Sequence, residues 1–269
     1  MNFPLEILKR YWSYESFRPL QEEIIKSVLE GRDTLALLPT GGGKSICFQV
    51  PAIMTEGICI VISPLIALMK DQVENLKSRG IRALAVHSGM THYEVDIALD
   101  NAIFGNYKFL YLSPERIRTD IFRMRASKMN VSFIVVDEAH CISQWGYDFR
   151  PEYLQIKEIF EVIGRVPVIA LTATATKLVS EDIMDKLSFR EPNVISGKFE
   201  RENLSYVVRH SEDKNGQLLR IIKSVRGSGI VYVRERRRAE EIAAFLRSQD
   251  IQADSYHAGY SSKLRSSKQ

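Results

Sequence analysis

An α/β fold is what the sequence predicts: a parallel sheet with helices on both faces, followed by a smaller and incomplete α/β unit. Three observations carry this expectation. Short apolar, β-branched runs alternate with longer stretches of helical spacing, the pattern of β-α-β units. The run at 58–62, Ile-Cys-Ile-Val-Ile, is apolar at every position, as strands covered on both faces are. Groups able to do chemistry fall just after such runs, at Lys44, Ser63, Asp137 and Thr172, and ligands of open α/β sheets bind at the carboxyl ends of the strands.

In chain order, strands are expected at 34–38, 58–62, 83–87, 109–112, 133–136, 168–171, 194–196 and 230–233, with a short one near 253–257. The stretches 65–78 and 239–248 have apolar residues at helical spacing. Ser-Glu-Asp-Lys-Asn-Gly at 211–216 is polar and turn-forming, which places a boundary near 205–216 and gives domains of 1–207 and 208–269. The latter, roughly sixty residues with two strands, can bury little core and reads as the start of a second domain cut short. The basic run Arg234-Glu235-Arg236-Arg237-Arg238 reads as a solvated helix start rather than a phosphate contact.

Composition narrows the class. Hydrophobic residues make up 45% and charged residues 26% of 269, ordinary for a globular protein. Net charge is +4, from 37 basic and 33 acidic residues, which permits a polyanionic partner without demanding one. No apolar run reaches the ~18 residues of a membrane span, and the first residues lack the pattern of a signal peptide. The three cysteines, Cys47, Cys59 and Cys141, are scattered, so neither a disulfide framework nor a zinc site is expected.

Residues 38–45 read Leu-Pro-Thr-Gly-Gly-Gly-Lys-Ser. A strand, a glycine-rich turn and a helix opening at Lys44 would place backbone N–H groups and a helix N-terminus around a phosphate. Gly41, Gly42 and Gly43 allow the torsions and close approach that side chains block, with Thr40 leading into them. Lys44 can reach the β- and γ-phosphates and the Ser45 hydroxyl can ligate Mg²⁺, although Leu38 stands where the strict pattern has glycine. The run at 133–136 leads straight into Asp137-Glu138-Ala139-His140. Asp137, at a strand tip, is placed to hold the magnesium of such a phosphate loop. Glu138 can orient or deprotonate a water, and His140 can hydrogen-bond toward the phosphates or a neighbouring motif.

With these motifs in place, the chain resembles the RecQ family of superfamily 2 DNA helicases. Phe17-Arg18-Pro19-Leu20-Gln21 resembles that family's adenine-recognition motif. The resemblance implies that Gln21 reads the adenine edge, Arg18 contacts the nucleotide and Tyr14 stacks on the base. Residues 63–72, Ser63-Pro64 through Lys70-Asp71-Gln72, match a motif associated with the DNA backbone, and Leu112-Ser113-Pro114-Glu115-Arg116 resembles another on the DNA side. Residues 171–176, which include Thr172 and Thr174, match the motif that links hydrolysis to movement. The most specific match is 137–153, DEAHCISQWGYDFRPEY. Its aromatic-rich segment offers Trp145, Tyr147 and Phe149 as faces for bases, beside Gln144 and Arg150.

The resemblance implies a RecA-like, P-loop NTPase fold and an ATP-dependent 3′-to-5′ DNA helicase of recombination and repair, present as its ATP-binding half. ATP and Mg²⁺ are the implied cofactors, and single-stranded or partly duplex DNA the implied partner. A monomer, no membrane partner and a bacterial cytoplasmic, nucleoid-associated location are expected, with a nuclear origin left open. In that family an arginine in a late Gln…Gly-Arg-Ala-Gly-Arg pattern completes the site. The sequence has no such pattern, so the chain alone is expected to turn over poorly. Two other readings stay open: a nucleotide- and DNA-binding fragment or paralogue without turnover, and an RNA helicase of the DEAD/DEAH type.

Overall fold

Short apolar runs pair side by side, all parallel, into a seven-stranded sheet. The computed structural model describes residues 3–146, 148–197 and 204–268. Tyr147, one of the aromatic side chains offered to bases, lies outside them. The chain divides into two compact units, Met1–Arg201 and Glu202–Gln269.

In the first unit, α1 (Phe3–Trp12) and α2 (Gln21–Leu29) precede β1 (Thr34–Leu37). There follow α3 (Lys44–Met54), β2 (Ile58–Ile62), α4 (Ile66–Ser78), β3 (Ala83–Val86), α5 (His92–Phe104) and β4 (Phe109–Leu112). Next come α6 (Asp120–Ala126), β5 (Val131–Val136), α7 (Phe160–Ile163), β6 (Val168–Thr172), α8 (Lys177–Lys186) and β7 (Val194–Ser196). Between β5 and α7 the chain makes 3₁₀ segments at Ala139–Ile142 and Pro151–Ile159. Strand order is β3-β4-β2-β5-β6-β1-β7, so β6 stands between β1 and β5.

The period-2 geometry of strands sorts side chains onto two faces. Leu35 and Leu37, Ile60 and Ile62, and Ile134 and Val136 enter one core with residues of α5, α6 and α8. Ala36, Cys59 and Val61, and Phe133 and Val135 enter the other with residues of α2, α3 and α4. Local signals start the helices. Thr91 and Glu94 form a reciprocal capping box at α5, and the Thr176 hydroxyl accepts from the Val179 N–H at α8.

The opposite edge of the sheet is tied by one buried carboxylate. Asp33, just before β1, accepts from the N–H of Val168 at 2.9 Å, the N–H of Arg190 at 2.9 Å and the guanidinium of Arg165 at 2.7 Å. Burial alone would raise this carboxyl. The hydrogen bonds from Arg190 and Val168, with Arg165 alongside, outweigh it and hold Asp33 below the usual carboxylate range.

The second unit contains α9 (Lys214–Ser224), α10 (Arg236–Ser248) and α11 (Ser262–Lys268). The basic run opens α10, and Arg237 pairs with Glu241 one turn on at 2.9 Å. The strands expected at 230–233 and 253–257 are not formed: both segments lack ladder pairing. A strand needs a neighbour to take its backbone groups, and among the described residues of this unit none is in a strand. Ile230 and Tyr232 are accordingly 80% and 88% exposed.

Asp33→Ala should destabilise the first unit by about 3 kcal/mol, since two backbone N–H groups and two guanidinium groups lose their acceptor. Because the Asp33 pKa is depressed on folding, its contribution is fully present above the unfolded value of about 3.9 and is lost as pH falls through the folded value. Urea midpoints measured between pH 7 and pH 3 should draw closer together for parent and Asp33→Asn at the acid end. A constant gap across that range would remove the carboxylate from this account.

Candidate active site

The turn from β1 into α3 is held in a shape that glycine makes possible. Gly41 and Gly43 have φ of 78° and 77°, in the left-handed region. A Cβ on Gly42 would stand 2.8 Å from the Pro39 carbonyl oxygen. The Gln21 Nε2 donates to the Gly43 carbonyl at 3.0 Å and the Gly42 carbonyl at 3.4 Å, while its Oε1 accepts from the Arg18 N–H at 2.9 Å. The Arg18 guanidinium donates to the Gly41 carbonyl. All three glycine carbonyls are thus engaged from α2 and the segment before it. Gly43 is the N-cap of α3 and offers no side chain, which leaves the first helical N–H groups for an anion.

Sequence reading assigned Gln21 to an adenine edge. In this structure the buried carboxamide faces the glycine turn, and reading a base would require it to release those carbonyls. Tyr14 is half exposed and free to present its ring.

Tyr14, Arg18, Lys44, Ser45, Asp137 and Glu138 line a single cavity of about 830 Å³. Within it, burial first and the charge of Glu138 second push the Asp137 carboxyl up to about 6, against the Glu138 N–H and Lys44, which lower it. A carboxylate that is costly to ionise beside a second acid favours a cation, and carboxylate and hydroxyl oxygens are the donors Mg²⁺ takes. The residues present therefore fit magnesium, to which Asp137 and Ser45 could each offer an oxygen.

The acidic tetrad is fastened at both ends. Glu138 adopts the left-handed region at φ 47°, a strained choice for a non-glycine residue, and its N–H meets the Asp137 Oδ1 at 3.0 Å. The His140 Nδ1 lies 2.9 Å from the Thr172 Oγ1 and 3.4 Å from the Glu138 Oε2. The Thr172 hydroxyl in turn exchanges contacts of 3.2 Å with the backbone of Thr174, which is itself exposed. Since β6 stands between β1 and β5, Thr172 sits between the glycine turn and the tetrad.

The aromatic segment leaves the tetrad with a pinned base and an open tip. Gln144 is exposed and Trp145 is 70% exposed, while Phe149 and Arg150 are half-buried. The Arg150 N–H donates to the Cys141 carbonyl at 2.9 Å, and its guanidinium reaches the Pro64 carbonyl at 3.4 Å and the Asp148 carboxylate at 3.1 Å. Sequence reading missed Tyr153 as an anchor: it is fully buried and its hydroxyl donates to the Asp137 carbonyl at 2.9 Å. A tyrosine closing an aromatic run gives no sign of that bond.

Two residues assigned to DNA are withdrawn from solvent, Ser63 within the cavity that Ser45 and Asp137 line. The Arg116 Nη2 donates to the carbonyls of His87, at 2.8 Å, and Met90, at 3.4 Å. Ser63 is only 2% exposed. His140, Cys141 and Asp148 bring one ligand-type atom each within 4.8 Å of one another. The thiol is pushed up to about 12 by burial and by Asp148, and Arg150 already balances that carboxylate. The trio is a hydrogen-bonded knot at the base of the loop.

Residues 18–182 match the family model of the DEAD/DEAH box helicases. The chain is 42% identical over 262 residues to the ATP-dependent DNA helicase RecQ of Pasteurella multocida, covering 97% of this chain and 42% of that protein. It is also 42% identical over 266 residues to the protein of the same name from Bacillus subtilis, covering 98% of this chain and 45% of that protein. Among solved structures, the DUF1998 helicase MrfA bound to DNA superposes with a TM-score of 0.76 at 18% identity, over all of this chain and 40% of that one. Helicase Lhr of Mycobacterium smegmatis gives 0.71 at 17% identity, over all of this chain and 39% of its own. These two likenesses concern the fold, a RecA-like sheet.

Gly43→Ala should cost more nucleotide affinity than Gly41→Ala. Both positions have positive φ, but the new Cβ at 43 would stand 2.4 Å from the Gln21 amide, whereas at 41 it meets nothing within 4 Å. Titration with a fluorescent ATP analogue is expected to separate them by about tenfold, strain alone accounting for ~1 kcal/mol at each. Equal losses would mean that Gln21 yields freely and does not hold the turn.

Proposed function

The chain belongs to the DEAD/DEAH box helicase family, and on that footing we propose that it is the ATP-binding part of a RecQ-type motor that unwinds DNA in the 3′-to-5′ direction. The observation that carries this reading is the Tyr153 bond to the Asp137 carbonyl. It ends the aromatic segment on the residue placed to hold magnesium, so a strand lying on Trp145 and the hydrolytic site would share one short piece of chain. The similarity to RecQ proteins of two bacteria supports the DNA assignment over an RNA helicase.

On this reading Lys44 binds the β- and γ-phosphates, and Ser45 and Asp137 hold magnesium, which when bound neutralises charge on the phosphoryl oxygens. Glu138 accepts the proton of the attacking water. His140, held by Thr172, keeps the tetrad in register with the motif at 171–176. Tyr14, Arg18 and Gln21 receive the base once the glycine carbonyls are released. Trp145 and Phe149 stack on single-strand bases, while Gln144 and Thr174 face the backbone. The partner is single-stranded or partly duplex DNA in the course of recombination and repair, met at a bacterial nucleoid. The first domain would run over 1–207 and the second from 208.

The chain spans about two fifths of the length of the Pasteurella relative, so binding is the direct test. Lys44→Ala should weaken ATP by roughly ten- to a hundredfold, the loss of a charge-assisted bond. Trp145→Ala should leave ATP affinity unchanged and weaken a single-stranded DNA oligonucleotide by ~1–3 kcal/mol. RNA binding equal to DNA, with Trp145→Ala silent, would favour the RNA reading. No ATP binding by the parent chain would end the proposal.

A further inference from the structure

Gln49 stands in the middle of α3 among Cys47, Phe48 and Val50 and is only 4% exposed. A carboxamide buried so far needs partners. Its Nε2 donates to the Gln72 Oε1 on α4 at 2.9 Å and lies 3.4 Å from the hydroxyl of Tyr111 on β4. Tyr111 is itself 2% exposed, so polar groups from three elements meet inside the apolar layer of Phe48, Met69, Val73 and Phe109.

The position of this pair is informative. Gln49 lies one helical turn beyond Ser45 on the same face of α3, and both glutamines line the cavity that Lys44, Ser45 and Asp137 line. α4 begins just after Ser63-Pro64, and the Pro64 carbonyl receives the Arg150 guanidinium from the base of the aromatic segment. A continuous series of contacts therefore runs from Arg150 to Pro64, along α4 to Gln72, across to Gln49 and back one turn to Ser45. A shift of α4 that parted the two amides would leave the Gln49 amide only its longer contact with Tyr111, which favours α3 and α4 keeping their spacing.

We propose that the Gln49–Gln72 bond is a positioning contact that locks α3 to α4 and passes the state of the aromatic segment to Ser45 and Lys44. This rests on the reading that the segment binds DNA and α3 binds the nucleotide. Neither glutamine touches the phosphates in this role. They set where the helix carrying Lys44 and Ser45 sits when a strand engages Trp145 and Arg150.

The test uses the 269-residue chain, a fluorescent ATP analogue and a single-stranded DNA oligonucleotide. Analogue affinity is measured with and without saturating oligonucleotide for the parent, Gln49→Met, Gln72→Met and the double variant. Methionine keeps length and removes both polar atoms, and the double variant leaves no unpaired amide. The parent ratio is expected to be about tenfold, each single variant should bring it toward one, and the double should fall no further. Melting temperature should stay near the parent's in the double variant. A parent-like ratio in the double variant overturns the proposal, as does a uniform loss of affinity with the ratio kept, which marks the pair as packing alone. A parent that binds oligonucleotide with a ratio of one also overturns it and leaves the functional reading standing. A parent that binds neither ligand removes both.

Discussion

Both faces of the sheet are buried, and that constraint decides where polar chemistry can sit. Strand interiors such as 58–62 and 133–136 are filled with apolar side chains on alternate faces. A charged group placed among them would be desolvated without a partner. Polar function is therefore confined to the first residues past the ladder. The ladder reaches these residues as well: the N–H of Asp137 bonds the Ile62 carbonyl at 2.9 Å, and that of Leu38 bonds the Thr172 carbonyl at 3.2 Å. Their backbone positions are set by the sheet before any ligand arrives, which is what preorganisation of a phosphate site requires.

Within that frame the site is built out of tension between like charges. Asp137 and Glu138 are adjacent acids at the mouth of a buried strand, and the left-handed backbone of Glu138 keeps them there at a conformational cost. The neighbouring bonds hold the strain in place. His140 is fixed to Thr172 and Tyr153 to Asp137, so the tetrad cannot relax by swinging into solvent. A cation would relieve the repulsion without moving the backbone.

The sequence made the sheet legible because two-sided burial writes itself as apolar runs, and because β-α-β alternation leaves few topologies to consider. It also marked Lys44, Ser45 and Asp137, which line one cavity because each follows a strand. Other features depended on partners far away in sequence. The bonds from the Arg116 Nη2 to the carbonyls of His87 and Met90 could not be read from its motif. The bonds from Gln21 to the glycine carbonyls likewise give no sign in the sequence. The runs at 230–233 and 253–257 have strand composition, yet composition supplies no neighbour, and the ladder did not form.

The aromatic segment shows why anchoring matters as much as exposure. A flexible loop that captured a base would spend the stacking energy on its own ordering. Here the base of the loop is already ordered by Arg150 on the Cys141 and Pro64 carbonyls and by Tyr153 on Asp137, while Trp145 stays 70% exposed. Force applied at the tip therefore reaches two places. One is the carbonyl of Asp137, and the other is the start of α4. A ligand shifts an equilibrium only by the difference in its affinity for two states, and a loop tied at both these points cannot be displaced without disturbing Asp137 and the start of α4.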